Sequence, residues 1–270
     1  MVTHMNQQSS PRRSFVPAFV ALLGLAGGAL FAAMPATEST LVLVAGATGR
    51  TGAYAVEQLV AQGYRVRAFV RSAEKARGRL PAGVDIAVGD VRDPATIAAA
   101  MQGVTHVISA IGGGVRNAAA GNGPAEVDRD GNQHLVDAAR QAGVAQFVLV
   151  SSGGIEQAET YPAQFMRPVL AAKRDSENYL RRSGLAYTIV RPGGLVDRPG
   201  ERSRIVLRQA PGAPFGRVSR VEIAQVCVAA LGSSAARGKT FEALAEEGEP
   251  LEDLEPLFAA LQADPPPGAP

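Results

Sequence analysis

Three glycines at regular spacing mark the clearest candidate for chemistry in the chain. They follow the short apolar run 41–45 and lead into the stretch 53–60, where apolar residues recur at helical spacing. The first turn of a helix exposes unpaired N–H groups and about half a positive charge, and glycines let a phosphate approach that backbone closely. A glycine loop between a strand and a helix is the setting in which this motif binds a dinucleotide pyrophosphate. The predicted phosphate-binding residues are Gly46, Thr48, Gly49, Arg50, Thr51 and Gly52.

The end of the next apolar run indicates which nucleotide binds. An acidic side chain there would bind the ribose 2′-hydroxyl of NAD, whereas an arginine accommodates the 2′-phosphate of NADP. The chain has Arg71 at this point and no carboxylate before Glu74. Because an arginine can donate two parallel hydrogen bonds to a phosphate, the sequence favours NADP over NAD. A solvated basic helix face would explain Arg77 and Arg79 better than Arg71.

Predicted strands and helices alternate along the body of the chain. Strands are predicted at 41–45, 65–70, 84–88, 106–111, 147–150, 187–190 and 240–244, and the longest helices at 125–142 and 168–182. This alternation with right-handed crossovers predicts an α/β Rossmann fold, with a doubly wound, mostly parallel sheet. We predict one NAD(P)-binding domain over 40–263 and a disordered proline-rich tail over 264–270. Ligands of such sheets bind at the carboxyl ends of the strands.

The first 36 residues have a different composition. Arg12 and Arg13 precede residues 15–34, which carry no formal charge, and about 20 apolar residues can span a bilayer. We predict that residues 1–36 are a signal or membrane-anchor segment, resembling a twin-arginine export signal and placing the domain in the cell envelope. The alternative is that translation starts at Met34, which would leave the protein in the cytoplasm.

Composition excludes several other classes of function. The net charge is only +2 and no basic arm is present, which argues against a nucleic-acid partner. The three histidines are scattered, so no metal site is predicted. Cys227 is the only cysteine and lies in an apolar run, which indicates a buried, unreactive thiol.

Several motifs together resemble one family. They are the spacing Gly-x-x-Gly-x-x-Gly, the pair Gly89-Asp90, the run Ser109-Ala110-Ile111-Gly112, and the stretches 127–132, 183–194 and 219–224. In these motifs the chain resembles the atypical short-chain dehydrogenase/reductases, specifically their NmrA-like and flavin/biliverdin-reductase-like NAD(P)-binding branch. The resemblance spans roughly residues 41–245.

The resemblance implies further cofactor-binding residues. Asp90 and Val91 would contact the adenine, and Pro192 and Gly193 would lie near the nicotinamide. Lys173 matches the lysine that binds the nicotinamide ribose in relatives, although a solvated helix lysine would look the same in sequence. The adenosine ribose would be lined by Ala110, Ile111 and Gly112.

One departure from the family pattern bears on catalysis. Dehydrogenases of this family use Tyr-x-x-x-Lys, in which the tyrosine delivers a proton. The chain has Val169 where that tyrosine would stand, four residues before Lys173. Ser151 or Ser152 could hydrogen-bond a substrate oxygen instead, but a neutral serine is a poor acid.

Three functions remain open from the sequence. The first is an NADPH-dependent reductase of a flat small-molecule acceptor, a flavin or quinone, that needs no protein acid. The second is a non-catalytic NADP(H)-binding redox sensor or assembly factor with a regulatory protein partner. The third is a conventional dehydrogenase or epimerase in which Tyr161 supplies the acid from another position.

Overall fold

The computed structural model describes residues 1–2, 40–197, 203–209 and 216–266. The predicted signal or anchor segment, apart from residues 1–2, lies outside these residues, as does the end of the predicted tail. Among the described helices, none combines the length and the apolar character that crossing a bilayer requires. Residues 15–34, the apolar part of the predicted signal or anchor segment, lie outside the described residues.

Strands and helices alternate as predicted through the first two thirds of the domain. The strands are β1 (Leu41–Ala45), β2 (Arg65–Val70), β3 (Asp85–Val88), β4 (His106–Ser109), β5 (Gln146–Val150), β6 (Tyr187–Pro192), β7 (Gly194–Val196), β8 (Ser203–Arg208), β9 (Arg217–Ser219) and β10 (Lys239–Glu247). The helices are α1 (Arg50–Ala61), α2 (Ala73–Arg77), α3 (Pro94–Ala100), α4 (Asn132–Gln141), α5 (Arg167–Arg181), α6 (Arg220–Ala230) and α7 (Glu255–Ala260).

The strands form one sheet in the order β3-β2-β1-β4-β5-β6-β10-β9-β7, with β8 paired to β10. Strands β1 to β6 pair in parallel, β10 joins β6 in parallel, and β8 runs antiparallel to β10. The predicted α/β fold with a mostly parallel sheet is thus confirmed. Strand order reverses between β1 and β4, and such a switch point opens a crevice at the carboxyl ends of the strands.

The core lies on both faces of this sheet. All five residues of β1 are buried, as expected for a central parallel strand. Val42 and Val44 face a cluster with α1 and α6, whereas Leu41 and Leu43 face a second cluster with α3 and α4. Cys227 of α6 is completely buried in the first cluster, and burial raises the pKa of its thiol to about 12. The prediction of a buried cysteine is confirmed.

Two parts of the fold differ from the prediction. The helix predicted over 125–142 begins at Pro124 with a π-helical segment to Gly131 and becomes α-helical only from Asn132. A Cβ at Gly131 would lie 2.6 Å from Val91 Cγ2, so this helix packs too closely there for a side chain. Strands β7, β8 and β9 were not predicted. β7 and β9 have three residues each, too few to show a pattern.

Candidate active site

The glycine loop lies between β1 and α1, as the sequence predicted. Gly46 has φ +79°, and a Cβ there would lie 2.8 Å from Ala110 O. A Cβ at Gly52 would lie 2.3 Å from Gly46 O, so α1 can approach the loop only without a side chain at this position. The amide of Gly49 donates to Gly46 O at 2.8 Å and closes the turn. The loop therefore presents bare backbone at the start of α1, which is the form that a phosphate site requires.

A cleft of about 470 Å³ opens beside this loop, at the carboxyl ends of the central strands. It brings together thirteen of the residues predicted from the sequence, although they come from separate segments of the chain. Those residues are Gly46, Thr48, Gly49, Arg50, Thr51, Arg71, Asp90, Val91, Ala110, Ile111, Gly112, Ser151 and Lys173.

Four predicted residues do not line the cleft. Gly52 lies behind the loop, and the Ser152 hydroxyl donates to Gly153 O at 3.1 Å. Pro192 is buried, and the amide of Gly193 donates to Ala243 O of β10 at 3.1 Å. The placement of Pro192 and Gly193 near the nicotinamide therefore stays a prediction. The lining residues that were not predicted as site residues include Leu195 of β7, a strand that was not predicted, and Arg220, the first residue of α6.

Positive charge is concentrated at the end of the cleft formed by β2 and the start of α1. Arg71 is exposed there, with Nη1 3.4 Å from Asn122 Oδ1. Arg50 is also exposed and pairs with Asp197 at 2.9 Å. Asp90 lies nearby and binds Arg92 with an Oδ2–Nη2 distance of 2.7 Å, and this hydrogen bond lowers the pKa of the Asp90 carboxyl. The two exposed arginines suit the phosphates of a dinucleotide.

Lys173 lines the cleft as well and is held by a buried carboxylate. Its Nζ is 2.9 Å from Asp128 Oδ1 and 3.4 Å from Val150 O. Asp128 is completely buried, and its Oδ2 accepts a hydrogen bond of 2.6 Å from the amide of Gly113. Asp128 therefore connects Lys173 to the glycine-rich loop after β4.

No role of its own was predicted for Asp128. It stands in the polar run Asp128-Arg129-Asp130, and nothing in the spacing distinguishes a buried carboxylate from exposed ones. Arg129 and Asp130 form a half-exposed ion pair with each other. The packing of α5 against the π-helical segment buries Asp128 and leaves Arg129 and Asp130 half-exposed.

Ser151 also lines the cleft. Ser151 follows β5 and is 6% exposed, and its Oγ has no hydrogen-bond partner among the described residues. A buried hydroxyl without a partner is costly, so a ligand atom is the expected partner here. Tyr161, by contrast, packs against the small cluster of Ile155, Ala158 and Leu170 and does not line the cleft.

Comparison with known proteins gives this site a family. A family model described as NAD(P)H-binding matches residues 46–234, which include the glycine loop and Lys173. The chain belongs to this NAD(P)H-binding family. An uncharacterized chloroplastic protein of Arabidopsis thaliana is 34% identical over 239 residues, covering 84% of each chain. Sanguinarine reductase of Eschscholzia californica is 30% identical over 266 residues, covering 83% of this chain and 97% of the relative.

Solved structures agree with this membership. A putative NAD-dependent epimerase/dehydratase from Bacillus halodurans has a TM-score of 0.72 and 28% identity, covering 82% of this chain and 100% of that one. The anaerobilin reductase ChuY from Escherichia coli O157:H7 has a TM-score of 0.62 and 26% identity, covering 76% of this chain and 97% of that one. The prediction of an NAD(P)H-dependent oxidoreductase family is confirmed by these relatives. The bare glycine loop and the cleft beside it fit an NAD(P)H-binding protein.

Proposed function

We propose that the protein is an NADPH-dependent reductase of a flat, conjugated acceptor of the flavin or quinone type. One observation carries this proposal: among the described residues that line the cleft there is no Tyr, His, Cys or Glu. The single carboxylate among them, Asp90, binds Arg92, which lowers its pKa, and the single lysine, Lys173, is held in an ion pair with Asp128. Reduction of a carbonyl substrate needs a protein acid, whereas a conjugated ring can accept a hydride and then take its proton from water.

The glycine loop, Lys173 and Ser151 each have a role in this proposal. The amides after Gly46 would hold the pyrophosphate, and Lys173, fixed by Asp128, would hold the hydroxyls of the nicotinamide ribose. The bound cofactor supplies a hydride. Ser151 would donate a hydrogen bond to an oxygen or nitrogen of the acceptor and so orient it, without giving up its proton.

The preference for NADPH over NADH is part of the proposal and rests on Arg71 and Arg50. Both are exposed at the mouth of the cleft beside the expected position of the adenosine ribose. Two reductases among the relatives, named for sanguinarine and anaerobilin, support a small-molecule acceptor.

A second candidate is a non-catalytic NADP(H)-binding sensor or assembly factor with a protein partner. Val169, in the place of the family's tyrosine, favours this function as well, since a sensor needs no acid. We also retain as a proposal export to the cell envelope, or anchoring through residues 15–34, which rests on Arg12, Arg13 and the apolar composition that follows. A start at Met34 and a cytoplasmic protein are the alternative.

Turnover with a flat acceptor separates the two functions. We expect NADPH oxidation, followed at 340 nm, to depend on added riboflavin or menadione. Replacing Ser151 with alanine removes one hydrogen bond, worth about 1 kcal/mol, and should lower kcat/KM for the acceptor about fivefold without changing the Kd of NADPH. Ser152→Ala is the matched control, with an expected change below about twofold, because its hydroxyl donates to Gly153 O and lies outside the cleft lining.

Two results would count against this function. Tight NADPH binding without oxidation in the presence of either acceptor would favour the sensor. Equal rates for the wild type and Ser151→Ala would remove Ser151 from the acceptor site.

A further inference from the structure

A second, more open pocket adjoins the cleft on its outer side. It has a volume of about 720 Å³ and is lined by Gly114, Val115, Arg116 and Phe165. Gly114 lines the cleft as well, so the two spaces meet at this residue. None of the other three residues has a role in binding the cofactor, and the pocket lies beside the loop that Asp128 fixes through Gly113.

Phe165 is unusually exposed for an aromatic residue. It is 65% exposed in the short 3-10 turn Gln164–Met166, just before α5. The other exposed large apolar residues of the described chain are Met1, Val2 and Val88, so Phe165 is the only ring among them. The segment around this turn is stabilised by a hydrogen bond of 3.0 Å from Arg167 Nε to Tyr161 O. A phenyl face presented to solvent in this way can stack on a planar ligand and be buried by it.

Arg116 adds a positive charge to this apolar wall. It is exposed at the start of the 3-10 segment Val115–Ala120 and forms no ion pair with any described residue. The far end of the same loop is held by other arginines, since Arg92 Nη1 donates to Gly121 O at 2.9 Å and Arg71 contacts Asn122. The guanidinium of Arg116 is therefore available to pair with an anionic group of a ligand.

We propose that Phe165, Val115 and Arg116 form the outer half of the acceptor site and select a planar, conjugated acceptor that carries an anionic substituent. The ring would stack on Phe165 and Val115, and the anion would pair with Arg116. The inference rests on the proposed reductase function, because it specifies that the acceptor reduced in that cleft carries a negative charge.

Binding of two flavins to the full chain tests the inference without turnover. Riboflavin and FMN share the same ring and side chain, and only FMN carries a phosphate. Both are titrated by the quenching of flavin fluorescence in saturating NADP⁺, which keeps the FMN phosphate out of the glycine loop. We expect FMN to bind about threefold more tightly than riboflavin, as for an exposed ion pair. Arg116→Gln should remove this difference, and Arg79→Gln, at an exposed arginine that does not line the pocket, should retain it.

The aromatic contact is tested with a graded pair of variants. Phe165→Ala should weaken both flavins about tenfold, whereas Phe165→Leu, which keeps apolar area without a ring, should weaken them less. Equal affinities of the wild type for the two flavins, or no effect of any variant at Phe165 and Arg116, would overturn the inference. Acceptor-dependent NADPH oxidation that survives in the variants would then leave the proposed function standing. Flavin binding with these effects but without NADPH oxidation would support the subsite and count against the reductase.

Discussion

Replacing Asp128 with alanine is expected to lower the free energy of unfolding by about 3 kcal/mol. Asp128 is completely buried, and its carboxylate binds both the ammonium of Lys173, whose side chain is 12% exposed, and the Gly113 amide. Removing one partner of a buried pair leaves the other charge without compensation, which typically costs 3–5 kcal/mol. Urea unfolding followed by circular dichroism measures the loss.

A matched variant controls for the removal of a charge. Asp130→Ala breaks the neighbouring pair with Arg129, whose side chains are 41% and 40% exposed, and should cost less than about 1 kcal/mol. In the Asp128→Ala background, Lys173→Met should lower the free energy of unfolding less than it does in the wild type. In the wild type the substitution breaks the ion pair, whereas in this background it removes an ammonium that has already lost its partner. Strictly additive effects of the two substitutions would contradict the coupling seen in the structure.

Replacing Arg71 with glutamine is expected to weaken NADPH binding about 30-fold and to change NADH binding less than about twofold. Hydrogen bonds to a charged group are worth about 1.5–3 kcal/mol, and NADH lacks the 2′-phosphate that would receive them. The Kd of each nucleotide is measured by fluorescence titration of the same preparation.

Arg77→Gln is the control for this change, since Arg77 is exposed on α2 and does not line the cleft. Equal weakening of NADPH and NADH binding by Arg71→Gln would indicate that Arg71 contacts the diphosphate, which both nucleotides share. No change for either nucleotide would shift the predicted specificity to Arg50.

The parts of the fold that depend on local sequence were predictable. A fully apolar strand, a glycine loop and a helix follow one another within 41–61, and each has a signal of its own. Parallel pairing then places the ends of β1 to β5 at one edge of the sheet, and that pairing put twelve of the thirteen predicted residues into a single cleft. Lys173 joins them from α5. The class of site followed from the topology, even though its shape did not.

The remaining features depend on contacts between distant segments. Three-residue strands such as β7 and β9 are defined by their partners, and Leu195 and Arg220 reach the cleft only through them. Asp128 is buried because α5 packs on the π-helical segment, not because of any pattern in its neighbours. The exposure of Phe165 is equally invisible in sequence, where an isolated aromatic residue indicates a core position.

Nucleotide binding by the purified chain tests the central claim most directly, namely that the glycine loop and the cleft beside it bind NAD(P)H. Titration with NADPH, followed by the fluorescence of the nucleotide, should give saturable binding of one molecule per chain, tighter than that of NADH. No saturable binding of either nucleotide would contradict the claim.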